Sequence, residues 1–316
     1  MNALCELLSI QYPIIQGGMG NVSHPELAIA ISEAGGLGTI GAGTMKPKEI
    51  QRMIEKIKEA TNKPYCLNIP LTVQPYADEV VALALEYKVP VISLSAGNPV
   101  PYIKKFQKNG SKVICVVASV RHAVKAEIGG ADAIVAEGFE AAGINSELEL
   151  TTMTLIPQII KKVKVPVVAA GGIADGKGLA AIWALGAAGV QMGTRFIATK
   201  EALVHERYKQ LIVEANDVGT VIVGRSVGRV RRLLNTPYAQ KLIKLEKQGM
   251  SLEQFNDLTD EAHHIEGAVK GNIHEGHLNA GQISGLIEDV PTVGELIELM
   301  VKEAKETIEQ LYNRLC

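Results

Sequence analysis

The sequence predicts an α/β protein: a (β/α)8 TIM barrel with a small helical insertion, or lid domain, towards the C-terminus. Three observations predict it. Eight short apolar runs alternate with segments of helical spacing over the first two thirds of the 316 residues. The chain is 47% hydrophobic but only 4% aromatic, so Ala, Ile, Val and Leu must fill the core, as suits parallel strands covered by helices. Glycine-rich turns follow the last two runs, where barrels commonly bind phosphate.

The first run, Ile14-Ile15, follows Pro13 and leads into Gln16-Gly17-Gly18-Met19. Leu37 to Ile40, Tyr65 to Ile69, Val91 to Leu94 and Val113 to Val117 come next. Ala133 to Ala136, Val167 to Ala170 and Val190 to Met192 complete the eight. Segments at 48–60, 76–87, 100–108 and 178–185 place apolar residues at helical intervals between them. Strand–helix alternation implies parallel pairing through right-handed crossovers, and eight units close into a barrel. An open doubly wound sheet is the alternative; the eight repeats and the late glycines favour closure.

The rhythm stops after about Ala198. Residues 201–216 read as a helix, and 216–285 as a polar, helical lid domain. Residues 292–315 read as a closing amphipathic helix, with Val293, Leu296, Leu299, Val301, Ala304, Ile308 and Leu311 towards the barrel. The barrel therefore comprises 1–215 and 286–316.

Net charge is −2, which gives no electrostatic footprint for nucleic acid or an anionic membrane. No apolar stretch is long enough to span a bilayer, and the N-terminus lacks a signal-peptide pattern. A cytoplasmic protein with a small-molecule substrate is expected, with a homodimer left open. Cys5, Cys66, Cys115 and Cys316 are scattered without a C-x-x-C pair and read as buried free thiols.

The seventh run ends Ala169-Ala170-Gly171-Gly172-Ile173-Ala174-Asp175-Gly176, and the eighth Gln191-Met192-Gly193-Thr194-Arg195-Phe196. Glycines there let backbone N–H groups approach an anion, with a helix N-terminus behind them. Thr194 adds a hydroxyl. Two such turns in the barrel's two phosphate positions favour a phosphate site over a tight turn alone.

With these two segments the sequence resembles the nitronate monooxygenase (2-nitropropane dioxygenase-like) family, which includes the FMN-dependent enoyl-acyl-carrier-protein reductases. The resemblance continues through P-I-I-Q-G-G-M-G at 13–20, A-G-G-L-G at 34–38, N-I-P at 68–70 and S-A-G-N-P at 95–99. It also takes in A-E-G-F-E-A-A-G at 136–143, T-T-M-T-L at 151–155 and A-G-Q-I-S-G-L-I at 280–287. Each motif alone is weak, but nine in order span nearly the whole chain. The resemblance implies FMN at the top of the barrel. Gly17, Gly18 and Met19 would border its ring, and Asn68 would hydrogen-bond it. Glu137 and Gly138 would lie near the ring or ribityl chain. Gly171, Gly172, Gly193 and Thr194 would hold the phosphate. Asn68, an amide at a strand end, offers the donor and acceptor that a flavin edge needs; Gln16 could serve similarly.

One departure bears on mechanism. The family usually places a proton-transferring His in the loop after the sixth strand, where this chain has Ala142-Gly143-Ile144-Asn145-Ser146. Ile144 stands at the His position, and neither it nor the Asn145 amide is a base near neutral pH. Deprotonation of a neutral nitroalkane lacks its usual base, whereas a nitronate arrives already as the anion. The remaining candidates for proton transfer are Asn145, Ser146, His274 and His277. His274-Glu275-Gly276-His277 has metal-like spacing but no third ligand, so no metal is expected. His263 and His264 read as surface residues. Arg225, Arg229, Arg231 and Arg232 read as a solvated basic face, or as recognition of an anionic group. No Rossmann fingerprint is present, so NADH or NADPH would act only as a transient co-substrate.

Four functions compete: oxidation of nitronate-type carbon acids with oxygen; NAD(P)H-dependent reduction of an ene, enoyl thioester or quinone; non-redox isomerase or lyase chemistry; and flavin binding without catalysis.

Overall fold

A computed structural model describes residues 2–315, and the expectation for Cys316 lies outside them. Eight parallel strands follow the predicted runs: β1 (Ile14–Gln16), β2 (Gly38–Gly41), β3 (Tyr65–Pro70), β4 (Val91–Ser95), β5 (Lys112–Val117), β6 (Ala133–Glu137), β8 (Val167–Ala170) and β9 (Gly189–Met192). The order β1-β9-β8-β6-β5-β4-β3-β2 closes between β1 and β2, where Leu37 N–H donates to Ile14 O and Gln16 N–H to Leu37 O. The numbering skips β7 (Gly143–Ile144) because that short strand leaves the barrel and joins a second sheet.

Around the barrel run α2 (Pro25–Glu33), α3 (Pro47–Ala60), α4 (Ala77–Glu86), α5 (Val100–Lys108), α6 (Val120–Ile128), α7 (Thr152–Ile160) and α8 (Gly176–Ala184). Helix α1 (Ala3–Leu8) plugs the N-terminal end: Leu4, Cys5 and Leu8 pack with Ile15, Leu37, Cys66, Val91, Ile114, Val135 and Val168 in the barrel interior. Cys5, Cys66 and Cys115 are buried and free, and burial pushes the Cys66 and Cys115 thiols up to about 12.

Strand alternation fixes what lies above this apolar plug. Side chains two residues apart share a face. Leu37 therefore puts Thr39 inside, Cys66 puts Asn68 inside, Val91 puts Ser93 and Ser95 inside, and Val135 puts Glu137 inside. The C-terminal mouth thus has a polar inner layer over an apolar floor.

The expected helix at 201–216 is shorter. It is preceded by α9 (Thr194–Ile197) and covers only α10 (Glu206–Val213). The insertion holds the expected helices, α11 (Pro237–Lys247), α12 (Leu252–Leu258) and α13 (Glu261–Ala268), and also β10 (Thr220–Val223) and β11 (Arg231–Leu234). These strands pair antiparallel, and β11 pairs with β7, making a three-stranded sheet that ties the insertion to the loop after β6.

The closing helix α14 (Val293–Leu315) packs on α8. Gly176 makes that approach possible: a Cβ there would lie 2.5 Å from Met300 O. The expected seam needs correction. Val293, Leu296 and Ala304 are buried with Ile297 and Met300, but Leu299, Ile308 and Leu311 are exposed. The barrel covers only the helix's first half, and the spacing of apolar residues does not reveal where a partner surface ends. No helix among the described residues is long and apolar enough to cross a membrane.

Candidate active site

The strand-end loops of β1, β3, β6, β8 and β9 meet at the barrel mouth. Gly17 N–H donates to Met192 O, joining the β1 and β9 loops. Gly18 lies against Asn68 so closely that a Cβ would sit 2.4 Å from Asn68 Oδ1. The Asn68 amide nitrogen donates to Ser93 Oγ and Ser95 Oγ, both at 3.1 Å. Gln16 is held differently: its Oε1 accepts from Thr39 N–H at 2.9 Å. Met19 crosses the mouth and contacts the space above Gly193, with its Sδ 3.7 Å from a Cβ placed there.

The β8 turn has the shape an anion cradle requires. Gly171 and Gly172 have φ of +94° and +76°, conformations that L side chains adopt only under strain. Thr152 braces the turn by donating its hydroxyl to Gly171 O at 2.9 Å, and Glu140 accepts from Thr152 N–H. Gly138 must be glycine for this brace to close, since its Cβ would lie 2.1 Å from Thr152 Oγ1. Gly193, by contrast, has φ −112° and is open above. Among the described residues none accepts a hydrogen bond from the N–H of Gly172 or Gly193, which leaves donors free for an anion. The N-terminus of α8 is not available, because Asp175 already caps it through Gly178 N–H. Thr194 Oγ1 accepts from Gly281 N–H at 2.9 Å, so this hydroxyl also anchors the A-G-Q segment.

Glu137 is half-buried inside the mouth, and burial pushes its carboxyl from 4.5 up to about 7. It lines a narrow crevice with Ala118, Phe139, Asn145, Ser146 and Leu150. Asn145 is a loop brace: its amide nitrogen donates to Ala141 O and Gly143 O. Ser146 Oγ accepts from Leu148 N–H. Ile144 is 54% exposed.

The insertion brings a second group of polar side chains to the site. Three of them, His264, Arg231 and Arg232, correct the sequence reading. His264 is buried rather than on the surface, stacked on the fully buried His277 with ring centroids 5.1 Å apart. Arg231 is half-buried rather than on a solvated face: its Nη1 donates to Thr259 O at 2.8 Å and lies 2.9 Å from His277 Nε2. Burial lowers the guanidinium to about 10. Arg232 is buried too and donates to Phe139 O, whereas Arg225 stays exposed and pairs with Glu149. His274 is exposed, away from this group. Glu261 and Asn279 complete the cluster, and only Glu261 gave a sequence signal, three residues before His264 on one helix face.

These residues could hold an anionic group and a polar ring: N–H donors free at two glycines, Met19 beside them, and a polar inner layer. A profile of the nitronate monooxygenase family matches residues 1–303. A probable nitronate monooxygenase of Staphylococcus saprophyticus is 33% identical over 96% of this chain and 98% of its own. The solved structure of FabK from Thermotoga maritima is 43% identical, with a TM-score of 0.95 over 99% of both chains. A nitroalkane oxidase structure from Streptomyces ansochromogenes is 27% identical, with a TM-score of 0.86 over 98% of this chain and 99% of its own.

Proposed function

The chain belongs to the nitronate monooxygenase family of oxidoreductases, and on that premise we propose that it is an FMN-dependent reductase of an activated alkene, such as an enoyl thioester, drawing on NADH or NADPH. The carrying observation is in the loop after β6, which presents exposed Ile144 with only an amide and a hydroxyl, Asn145 and Ser146, beside it, while Glu140 and Glu149 of the same loop are engaged by Thr152 N–H and Arg225. A reaction that begins with removal of a carbon-bound proton finds no base at Ile144 or its neighbours Asn145 and Ser146. A reaction that begins with hydride delivery needs none there. The likeness to FabK over the whole chain supports the same reading.

When bound, FMN supplies reversible hydride transfer. The chain's residues do the rest. Gly172 and Gly193 present backbone donors to the phosphate, Gly171 shapes the turn, and Thr194 holds the A-G-Q segment beside them. Gly17, Gly18 and Met19 border the ring, with Asn68 supplying its amide oxygen. Glu137, whose carboxyl burial raises to about 7, offers the flavin a hydrogen-bond donor in its protonated form, which predominates below neutral pH. Ile144 gives the substrate an apolar wall.

The second reading, oxidation of a nitronate with oxygen, is favoured by the family match and by the fact that a nitronate needs no base. Anaerobic stopped-flow distinguishes the two. The reductase bleaches its flavin with NADH or NADPH and regains colour on addition of an enoyl thioester. Bleaching by a nitronate without nicotinamide, and none with it, would overturn the reductase reading in favour of the second.

A further inference from the structure

The loop that carries Met19 is gripped from two sides. After Met19 the chain makes a single 3₁₀ turn, Gly20–Val22, and Met19 N–H donates to Ser23 Oγ at 2.9 Å. On the barrel side this turn lies against the loop after β2. Asn21 Oδ1 accepts from Thr44 N–H at 3.0 Å, and a Cβ on Gly41 would sit 2.9 Å from Gly20 N. On the other side stands α13 of the insertion. Asn21 N–H has no backbone acceptor among the described residues; it donates to Glu261 Oε1 at 3.2 Å. A carboxylate acceptor makes this bond stronger than one between neutral groups. Both carboxylate oxygens also lie within 3.6 Å of a Cβ built on Gly20, whose φ of +56° favours glycine.

Glu261 is itself held in place. It is the first residue of α13, behind the Asp260 cap, and its Oε1 faces His264 Nδ1 at 3.3 Å. Arg231 on β11 attracts it from the small sheet. Its neighbours Asp260 and His263 engage each other instead of the turn. Apolar packing follows the same path. Met19 packs against both the barrel core and the core of the insertion, and Val22 is buried in the second. The turn is thus where the two cores meet, and Glu261 supplies a polar bond that ties them there.

Resting on the flavin site described above, we propose that Glu261 is a positioning residue for the flavin: from the insertion it holds the turn after β1, and through that turn it keeps Met19 in place beside the cradle. The reach is short. Met19 directly precedes Gly20, and its Sδ lies 3.7 Å from a Cβ placed on Gly193, whose N–H is one of the free donors. Without the Glu261 bond, Asn21 N–H must turn to solvent for an acceptor. The turn then loosens, and Met19 moves into the space that the flavin would fill.

The test uses three variants of the full chain. Glu261→Ala removes the acceptor, and Glu261→Gln keeps a carbonyl oxygen for Asn21 N–H. Asp260→Ala removes the α13 cap and its pairing with His263 but leaves Glu261 in place. Two quantities are read: FMN affinity, by fluorescence titration, and the Met19 methyl resonance in ¹H–¹³C NMR, assigned by its loss in Met19→Leu. Glu261→Ala should weaken FMN binding by about tenfold, the scale of one hydrogen bond to a charged acceptor, and displace the Met19 resonance before any FMN is added. Glu261→Gln should restore most of the affinity. Asp260→Ala should lower Tm yet leave the affinity and the Met19 resonance near those of wild type. An unmoved Met19 resonance or wild-type FMN affinity in Glu261→Ala would overturn the assignment. So would an equal loss of affinity in Asp260→Ala, since only the stability of the insertion would then count. Wild type that binds no FMN would instead fail the flavin reading, and the Met19 resonance of the FMN-free chain then decides whether Glu261 holds the turn.

Discussion

Replacing Glu137 with Gln tests whether the barrel mouth holds an acid in its neutral form. Burial is the only cause acting on this carboxyl, lifting it from 4.5 to about 7. At 1.36 kcal/mol per pH unit that gap is worth roughly 3 kcal/mol, and solvent at the half-open mouth reduces it to roughly 2–3. The sign follows from proton binding. Between the two values the folded chain holds the proton and the unfolded chain releases it, so this group's contribution to stability falls as pH rises from about 4.5 through about 7. Above that window the folded protein carries the full penalty of a buried carboxylate. Glu137→Gln keeps the size and the donor but removes the charge. It should match wild type near pH 4.5 and be more stable at pH 8. For a chain of 316 residues, the gain at pH 8 corresponds to a Tm about 3–5 °C higher. Thermal and urea unfolding of the FMN-free protein at both pH values measures this. Equal differences at the two pH values, or a less stable Glu137→Gln at pH 8, would refute the reasoning.

Two further predictions concern the cradle and the missing base. Gly193→Val should fold normally, since φ there is −112° and a Cβ meets only Met19, yet lose FMN affinity by about tenfold or more because the side chain fills the phosphate's path. Gly171→Val should lose FMN and roughly 1–3 kcal/mol of stability as well, because φ is +94° and Ala141 N and Gly138 O lie 3.0 Å away. Full flavin occupancy in a natively folded Gly193→Val would move the phosphate elsewhere. Ile144→His should raise turnover of a neutral nitroalkane relative to its nitronate, by up to the roughly 10²–10⁴-fold that general-base catalysis supplies. Initial rates on both forms decide it; wild type already taking both equally well would mean that another residue is the base.

Local pattern was enough for the barrel. Each strand is a short apolar run bounded by turns, and parallel strands buried on both faces leave that signature in consecutive residues. The runs found by sequence match β1 to β9, with β7 set aside, within a residue or two at each end. The glycine turns at Gly171-Gly172 and Gly193-Thr194 were legible for the same reason, since chain reversal and backbone access are requirements of adjacent residues. The loss of a histidine at Ile144 was legible too, as a departure from an ordered set of motifs. The insertion was not. Gly143–Ile144 and Arg231–Leu234 are about ninety residues apart, and only their pairing makes a sheet of them. That pairing buries Arg232, desolvates Arg231 and sets His264 and His277 in a stack, although in sequence His264 read as surface, the arginines as a basic face or an anion-recognition site, and His277 as a candidate for proton transfer. The apolar residues of α14 show the converse: Leu299, Ile308 and Leu311 fit a buried stripe, but the barrel does not extend beneath them. Periodicity reports what a segment could bury. Which charges are desolvated, and which imidazole faces which carboxylate, depends on distances between segments that are remote in the chain, and those distances exist only in the folded molecule.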